Sequence, residues 1–220
     1  EVYIGGHHWP VWGKERVRSL LETQRDTFKF IHDQTLHLAL QGFTPREIAE
    51  QVKLPASLNK VFSSRGYYGT VAHNTKAVYQ YYFGWYDANP SNLNPLPPEA
   101  SAKKYVEFMG GADAVLAKAQ KSVDDGEYRW AAEILNHLVF AEPDHAQAKA
   151  LLAKTYDQLG YQSESAPWRD AYLSGAYELR HGKPEKVVDM SSTVELLRNT
   201  PMPRFFEAMA ARLKADKAEG

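Results

Sequence analysis

Apolar residues recur at three- and four-residue steps over most of this chain. Val17, Leu20, Leu21, Phe28, Ile31 and Leu38 trace one such face. Their spacing predicts a long helix from about Lys14 to Gln41, ended by Gly42. Thr44-Pro45-Arg46-Glu47 then forms a capping box with proline at the first helical position, so a shorter helix starts there. Ala77, Val78, Tyr81 and Tyr82 mark a further helix. Asn74 reads as its N-cap, which sets His73 just outside the first turn. Only the first residues differ. Val2, Tyr3 and Ile4 favour β structure and Gly5-Gly6 stop it, so Glu1 to Ile4 reads as the end of a short strand. No strand-like alternation follows, and the expected fold class is all-α.

Asparagine and proline cluster between Asp87 and Ala100 and interrupt the helical pattern. Beyond them Gly126, Tyr128, Ala131 and Pro143 stand at the offsets of the second half of a tetratricopeptide unit. Gly160 follows Gly126 by 34 residues, the period of that repeat. Ala153 and Tyr156 fill the small and aromatic positions of the next unit. Glycine permits the tight interhelical turn, alanine lets two helices approach, and proline ends the second helix. Two helical hairpins are therefore expected between about Gly111 and His181. A plain antiparallel hairpin without repeat ancestry is the other reading of the same spacing. Two units have few neighbours on which to bury their faces, so apolar surface should remain for a partner.

Composition narrows the chemistry. The 220 residues are 44% hydrophobic and 24% charged, with net charge -1. This is an ordinary globular balance, and it gives no electrostatic reason to expect nucleic acid. No stretch approaches the roughly 18 uninterrupted apolar residues of a membrane helix. Cysteine is absent, so disulfides and thiolate chemistry are excluded and any metal must be held by His, Asp or Glu. The chain begins at Glu1 without methionine or a signal-like segment, as a processed or trimmed piece would.

Two places carry candidate chemistry. His7 and His8 stand in tandem between Gly5-Gly6 and Trp9-Pro10, on the loop leaving the first strand. Binding residues gather on such loops, and the pair are metal-ligand candidates. The second place is the glycine-flanked aromatic loop Arg65-Gly66-Tyr67-Tyr68-Gly69, followed by His73-Asn74 at a helix start. A helix N-terminus offers N–H groups and partial positive charge to an oxyanion, and a nearby histidine adds a hydrogen bond or a proton. The competing reading makes the aromatics core and His73 their neighbour. His32 and His37 are five apart, the wrong spacing for one helix face. With His137, His145 and His181 they read as structural or exposed.

Four stretches together resemble the alkyl sulfatases of the metallo-β-lactamase superfamily: GGHHWPVWG, RDTFKFIHDQTLHLALQGFTPREIAE, RGYYGTVAHNTKAVYQYYFGWYDANPSNLNPLPP and YRWAAEILNHLVFAEPDH. The resemblance implies three parts. Residues 1–13 would be the end of a zinc domain, 14–182 a helical dimerisation domain, and 183–220 the start of a sterol-carrier-like domain. In the last part Leu196, Phe205, Met209 and Leu213 would form the apolar face of its opening helix. The resemblance also implies two zinc ions per intact enzyme, with His7 or His8 matching the final ligand; the Gly-His step at a strand end favours His7. His73 matches a histidine near the sulfate group and is the catalytic candidate. His73, Asn74 and Trp85 are the substrate-binding candidates, although Trp85 stands where relatives often carry tyrosine and has only an indole N–H to offer.

The implied reaction is attack of zinc-polarised water on an alkyl sulfate of the dodecyl sulfate type, giving alcohol and sulfate. The implied assembly is a homodimer with no membrane span and no nucleic acid, in the periplasm or secreted. The family's His-x-His-x-Asp-His motif is not in these residues, and one histidine cannot hold two zinc ions, so the 220 residues alone should be inactive. A non-catalytic helical repeat module acting through protein contacts is the alternative.

Overall fold

The computed structural model describes residues 1–6, 9–184, 191–210 and 213–214, without the side chains of 191 and 192. Two units separate in it, Glu1–His181 and Gly182–Gly220. His7 and His8 lie outside the described residues.

The first unit opens with a hairpin rather than a lone strand end. β1 (Val2–Tyr3) pairs antiparallel with β2 (Val11–Trp12), Val2 opposite Trp12 and Tyr3 opposite Val11. A two-residue strand is too short to show alternation, which is why sequence reading misses β2. Helix α1 (Lys14–Ala39) follows, then α2 (Pro45–Gln51), α3 (Ala56–Asn59), a 3-10 turn at Phe62–Ser64, and α4 (Val71–Phe83). The expected capping box of α2 is present: the Thr44 backbone N–H donates to Glu47 Oε2 at 2.8 Å, and the Thr44 hydroxyl accepts from the Glu47 N–H. Ile48, Val52 and Tyr79 form the small core joining α2 to α4, with Phe30 and Leu38 of α1 and Phe43 beyond it packed on it.

The buried positions of α1 are Thr27, Ile31 and Thr35, while Leu21 and Phe28 of the predicted apolar face remain 49% and 61% exposed. That stripe borders a cleft rather than a closed core.

Past the Asn/Pro segment come α5 (Pro98–Phe108), α6 (Ala112–Asp124), α7 (Tyr128–Ala141), α8 (Ala146–Gln162) and α9 (Ala166–His181). α5 and α6 pack on α7, α7 on α8, and α8 on α9. Helices α6 and α8 begin 34 residues apart, at Ala112 and Ala146. Val115, Leu135, Leu138 and Leu152 are almost fully buried between them. Each such side chain contributes about 1.5–3 kcal/mol through removal from water.

The two spaced glycines turn out to serve different ends. Gly126 takes a left-handed backbone (φ 81) in the turn before α7, as the spacing predicts. Gly160 corrects the expectation of a second turn: it is buried within α8, where a Cβ would come 2.9 Å from Leu173 Cγ of α9. Glycine here permits close helix approach, and the actual turn is Ser163–Ser165. Pro143 follows the α7 cap residue Glu142, as expected of a helix stop.

The second unit holds α10 (Ser191–Arg198) and α11 (Met202–Ala210) instead of one opening helix. Pro201 lacks an N–H and disfavours helical geometry at Thr200, so the chain breaks there. Leu196 therefore lies on α10 and Phe205 and Met209 on α11, with Leu213 beyond it. Among the described residues no helix is long and apolar enough to cross a membrane.

Candidate functional site

A cleft of about 480 Å³ opens between the hairpin, α1 and the start of α4. One wall is apolar, from Leu20, Leu21 and Phe28 of α1. The opposite wall is the loop Arg65–Gly69, and Gln24, Arg65 and Asn74 supply polar groups. Gly5 and Gly6, the residues before the histidine pair, also line it.

Polar bonds fix the cleft floor. Gln24 Nε2 donates to the Ser63 carbonyl at 2.7 Å, and the hydroxyls of Thr27 and Ser64 are 2.9 Å apart. Ser63 Oγ is buried with no partner among the described residues. Asn74 sits against the loop so tightly that a Cβ on Gly69 would come 3.0 Å from its Oδ1. Only glycine leaves that carboxamide in place.

The start of α4 corrects the sequence reading. Its N-cap is Thr70, not Asn74, and the Thr70 hydroxyl accepts from the His73 N–H at 2.9 Å. Both residues cap well, but Val71 packs against the Ile48–Tyr79 core, and helix formation there carries the cap four residues upstream. His73 and Asn74 consequently lie inside the first turns. The His73 backbone N–H is satisfied by the cap rather than left for an anion.

The three substrate candidates do not converge. Asn74 lines the cleft. His73 is not among the residues lining it; its ring is exposed and turned to α9, where Trp168 Nε1 donates to His73 Nδ1 at 3.2 Å. A neutral ring whose Nδ1 accepts carries its hydrogen on Nε2, so the outward edge is a donor. Trp85 is 68% exposed beside Tyr86 and lines no part of the cleft. Sequence reasoning missed Gln24 and the Ser63–Ser64 pair, which have no local motif and matter only because α1 packs against the Phe62–Ser64 turn.

The remaining described histidines are accounted for. His32 bonds Asp33 and Tyr82, His37 bonds Gln41, and His145 caps α8 through Nδ1. His137 stacks near Tyr105 and His181 near Tyr177. Among the described residues no group of three or more His, Asp or Glu could hold a metal ion. By themselves they do not fit zinc.

Residues 44–182 match the alkyl sulfatase dimerisation family. An alkyl/aryl-sulfatase of Saccharomyces cerevisiae is 56% identical over 221 aligned residues, covering 100% of this chain and 34% of that protein. A linear primary-alkylsulfatase of a Pseudomonas species is 50% identical over 97% of the chain and 32% of its own length. The solved structure of a double mutant of a sec-alkyl sulfatase superposes with a TM-score of 0.95 at 48% identity, covering 100% of this chain and 34% of that one. The chain thus spans about a third of the length of the relatives it matches. With its helical architecture and this similarity along its whole length, the chain belongs to the alkyl sulfatase dimerisation family.

Proposed function

We propose that this chain is the dimerising segment of an alkyl sulfatase that hydrolyses alkyl sulfates of the dodecyl sulfate type to alcohol and sulfate. The observation that carries the reading is the cleft: an apolar wall of Leu20, Leu21 and Phe28 faces Gln24, Arg65 and Asn74. An amphiphile with an alkyl tail and an anionic head needs that division of surface. In this reading the Asn74 carboxamide donates a hydrogen bond to a sulfate oxygen, and the outward His73 Nε2–H donates a hydrogen bond to the sulfate group. Trp85 has only its exposed indole to contribute. His7 or His8, with His7 preferred, gives one ligand to zinc, and the other ligands lie in the length of the relatives that this chain does not span. Residues 1–13 then end a zinc domain, 14–182 form the dimerisation domain with tetratricopeptide-like hairpins, and 183–220 start a sterol-carrier-like domain.

The partner in assembly is a second copy. Phe108 is 91% exposed on α5, and with Tyr105 and Leu96 it lines an open groove of about 690 Å³. Apolar surface of this kind marks a contact face.

The test is His73→Ala in the full-length enzyme, with zinc content and fold checked. Expected is at least a tenfold loss in kcat/KM toward dodecyl sulfate, about what one hydrogen bond to a charged group contributes. His32→Ala, in α1, should change turnover little. Wild-type turnover in the His73 variant with unchanged zinc would remove His73 from the mechanism. A full-length protein without sulfatase activity would leave the segment an assembly module.

A further inference from the structure

The loop that walls the cleft is gripped from far along the chain. Three consecutive residues, the last two of the α8–α9 connection and the first of α9, meet it. Glu164 pairs with Arg65, whose guanidinium carbon lies 5.2 Å from the Tyr67 ring centroid. The Ser165 hydroxyl donates to the Tyr68 carbonyl, and the Ala166 N–H donates to the Tyr67 carbonyl at 2.8 Å. Two of these contacts span 97 and 99 residues of sequence.

The three are not equal. Arg65 and Glu164 are half exposed, so water and salt weaken that pair. Ser165 is 1% exposed. A bond made there has no water to replace it when broken. Its effect reaches the cleft directly, because the bonded Tyr68 carbonyl precedes Gly69, whose backbone stands against the Asn74 carboxamide.

We propose that Ser165 is a positioning residue for the cleft: its hydroxyl fixes the Tyr68 carbonyl and thereby the place of Gly69 and Asn74. The α8–α9 connection thus shapes the cleft wall from nearly a hundred residues further along the chain. The consequence for substrate rests on reading the cleft as the alkyl sulfate site; the mechanical claim does not.

The experiment uses the full-length protein with Ser165→Ala, the hydroxyl-keeping Ser165→Thr, and Ser163→Ala as a control. Ser163 Oγ donates to the Leu159 carbonyl of α8 rather than to the loop. Hydrogen exchange of amides 66–70 should accelerate at least tenfold in Ser165→Ala, while α5–α7 amides stay as in the parent. The KM for dodecyl sulfate should rise at least threefold with a smaller change in kcat. Ser165→Thr and Ser163→Ala should leave both readouts near the parent. If Ser165→Ala does not accumulate folded, Ser165→Cys, a near-isostere with a weak donor, takes its place.

Unchanged loop exchange would overturn the proposal, as would acceleration spread evenly through α5–α9. A loosened loop with unaltered KM would overturn the positioning role. If the parent protein does not hydrolyse dodecyl sulfate, the substrate reading falls, and the exchange arm still decides whether Ser165 holds the loop.

Discussion

Helices α6–α9 and the segment Phe62–Thr70 are held by different physics. The helices satisfy their backbone locally and bury Val115, Leu135, Leu138 and Leu152 among one another. In the segment no residue is fully buried, and its order depends on a few directional bonds to α1 and to the α8–α9 connection. Area burial is spread over many atoms and tolerates the loss of any one bond. A loop fixed by a few bonds does not tolerate the loss of a partner. The stable region thus supplies the rigid body, and the sparsely bonded one supplies the wall of the cleft.

That contrast can be broken or sharpened by measurement. Leu135→Ala should have the largest effect, about 2–5 kcal/mol of unfolding free energy, because α7 is enclosed on several sides and cannot collapse into the void. Urea denaturation checks it. A cost below about 1 kcal/mol would mean that α6–α9 are not the rigid body.

Gly160→Ala comes next and has two opposing terms. Alanine favours the helix by about 1 kcal/mol over glycine, but forcing a methyl group against Leu173 costs about 1–3 kcal/mol. Net destabilisation is expected, relieved when Leu173→Ala is added. Thermal denaturation of the single and double variants decides it, and a stabilised single variant would remove close approach as the reason for glycine.

The smallest effect concerns pH. The Thr44 backbone N–H, and then its hydroxyl, hold the Glu47 carboxyl below its ordinary value. A carboxyl whose folded pKa is depressed contributes stability that is present above the unfolded value and lost as pH falls through the folded one. Glu47→Gln should therefore lower stability slightly at neutral pH, leave it nearly unchanged at acid pH where Glu47 is protonated, and so flatten the acid side of the profile. An unaltered slope between neutral and acid would show the capping box to be energetically silent.

Much of the fold is legible in the residues. The long apolar period gives α1 within two residues of its observed end, and Thr44–Glu47 gives the start of α2. The turn at Gly126 follows from the same local rules. The site is less legible. Thr70 and Asn74 compete as caps on equal local terms, and Val71 decides between them by packing against the Ile48–Val52–Tyr79 core. Gly160 looks like a turn glycine because its partner, Leu173, lies on another helix. His73 is drawn toward α9 by Trp168, 95 residues later. No periodicity announces such a bond.

By itself the sequence determined the helical class, the ends of α1 and the start of α2, the helical hairpins, and the kinship with alkyl sulfatases. These depend on interactions within one or two turns, or on residue patterns kept over the whole chain. The tertiary structure alone decided which polar groups face the cleft, which of His73 and Asn74 lines it, and that Ser165 holds its wall. The reason is range: a helix is chosen by neighbours three and four residues apart, whereas the cleft is made by bonds that exist only once distant helices have packed.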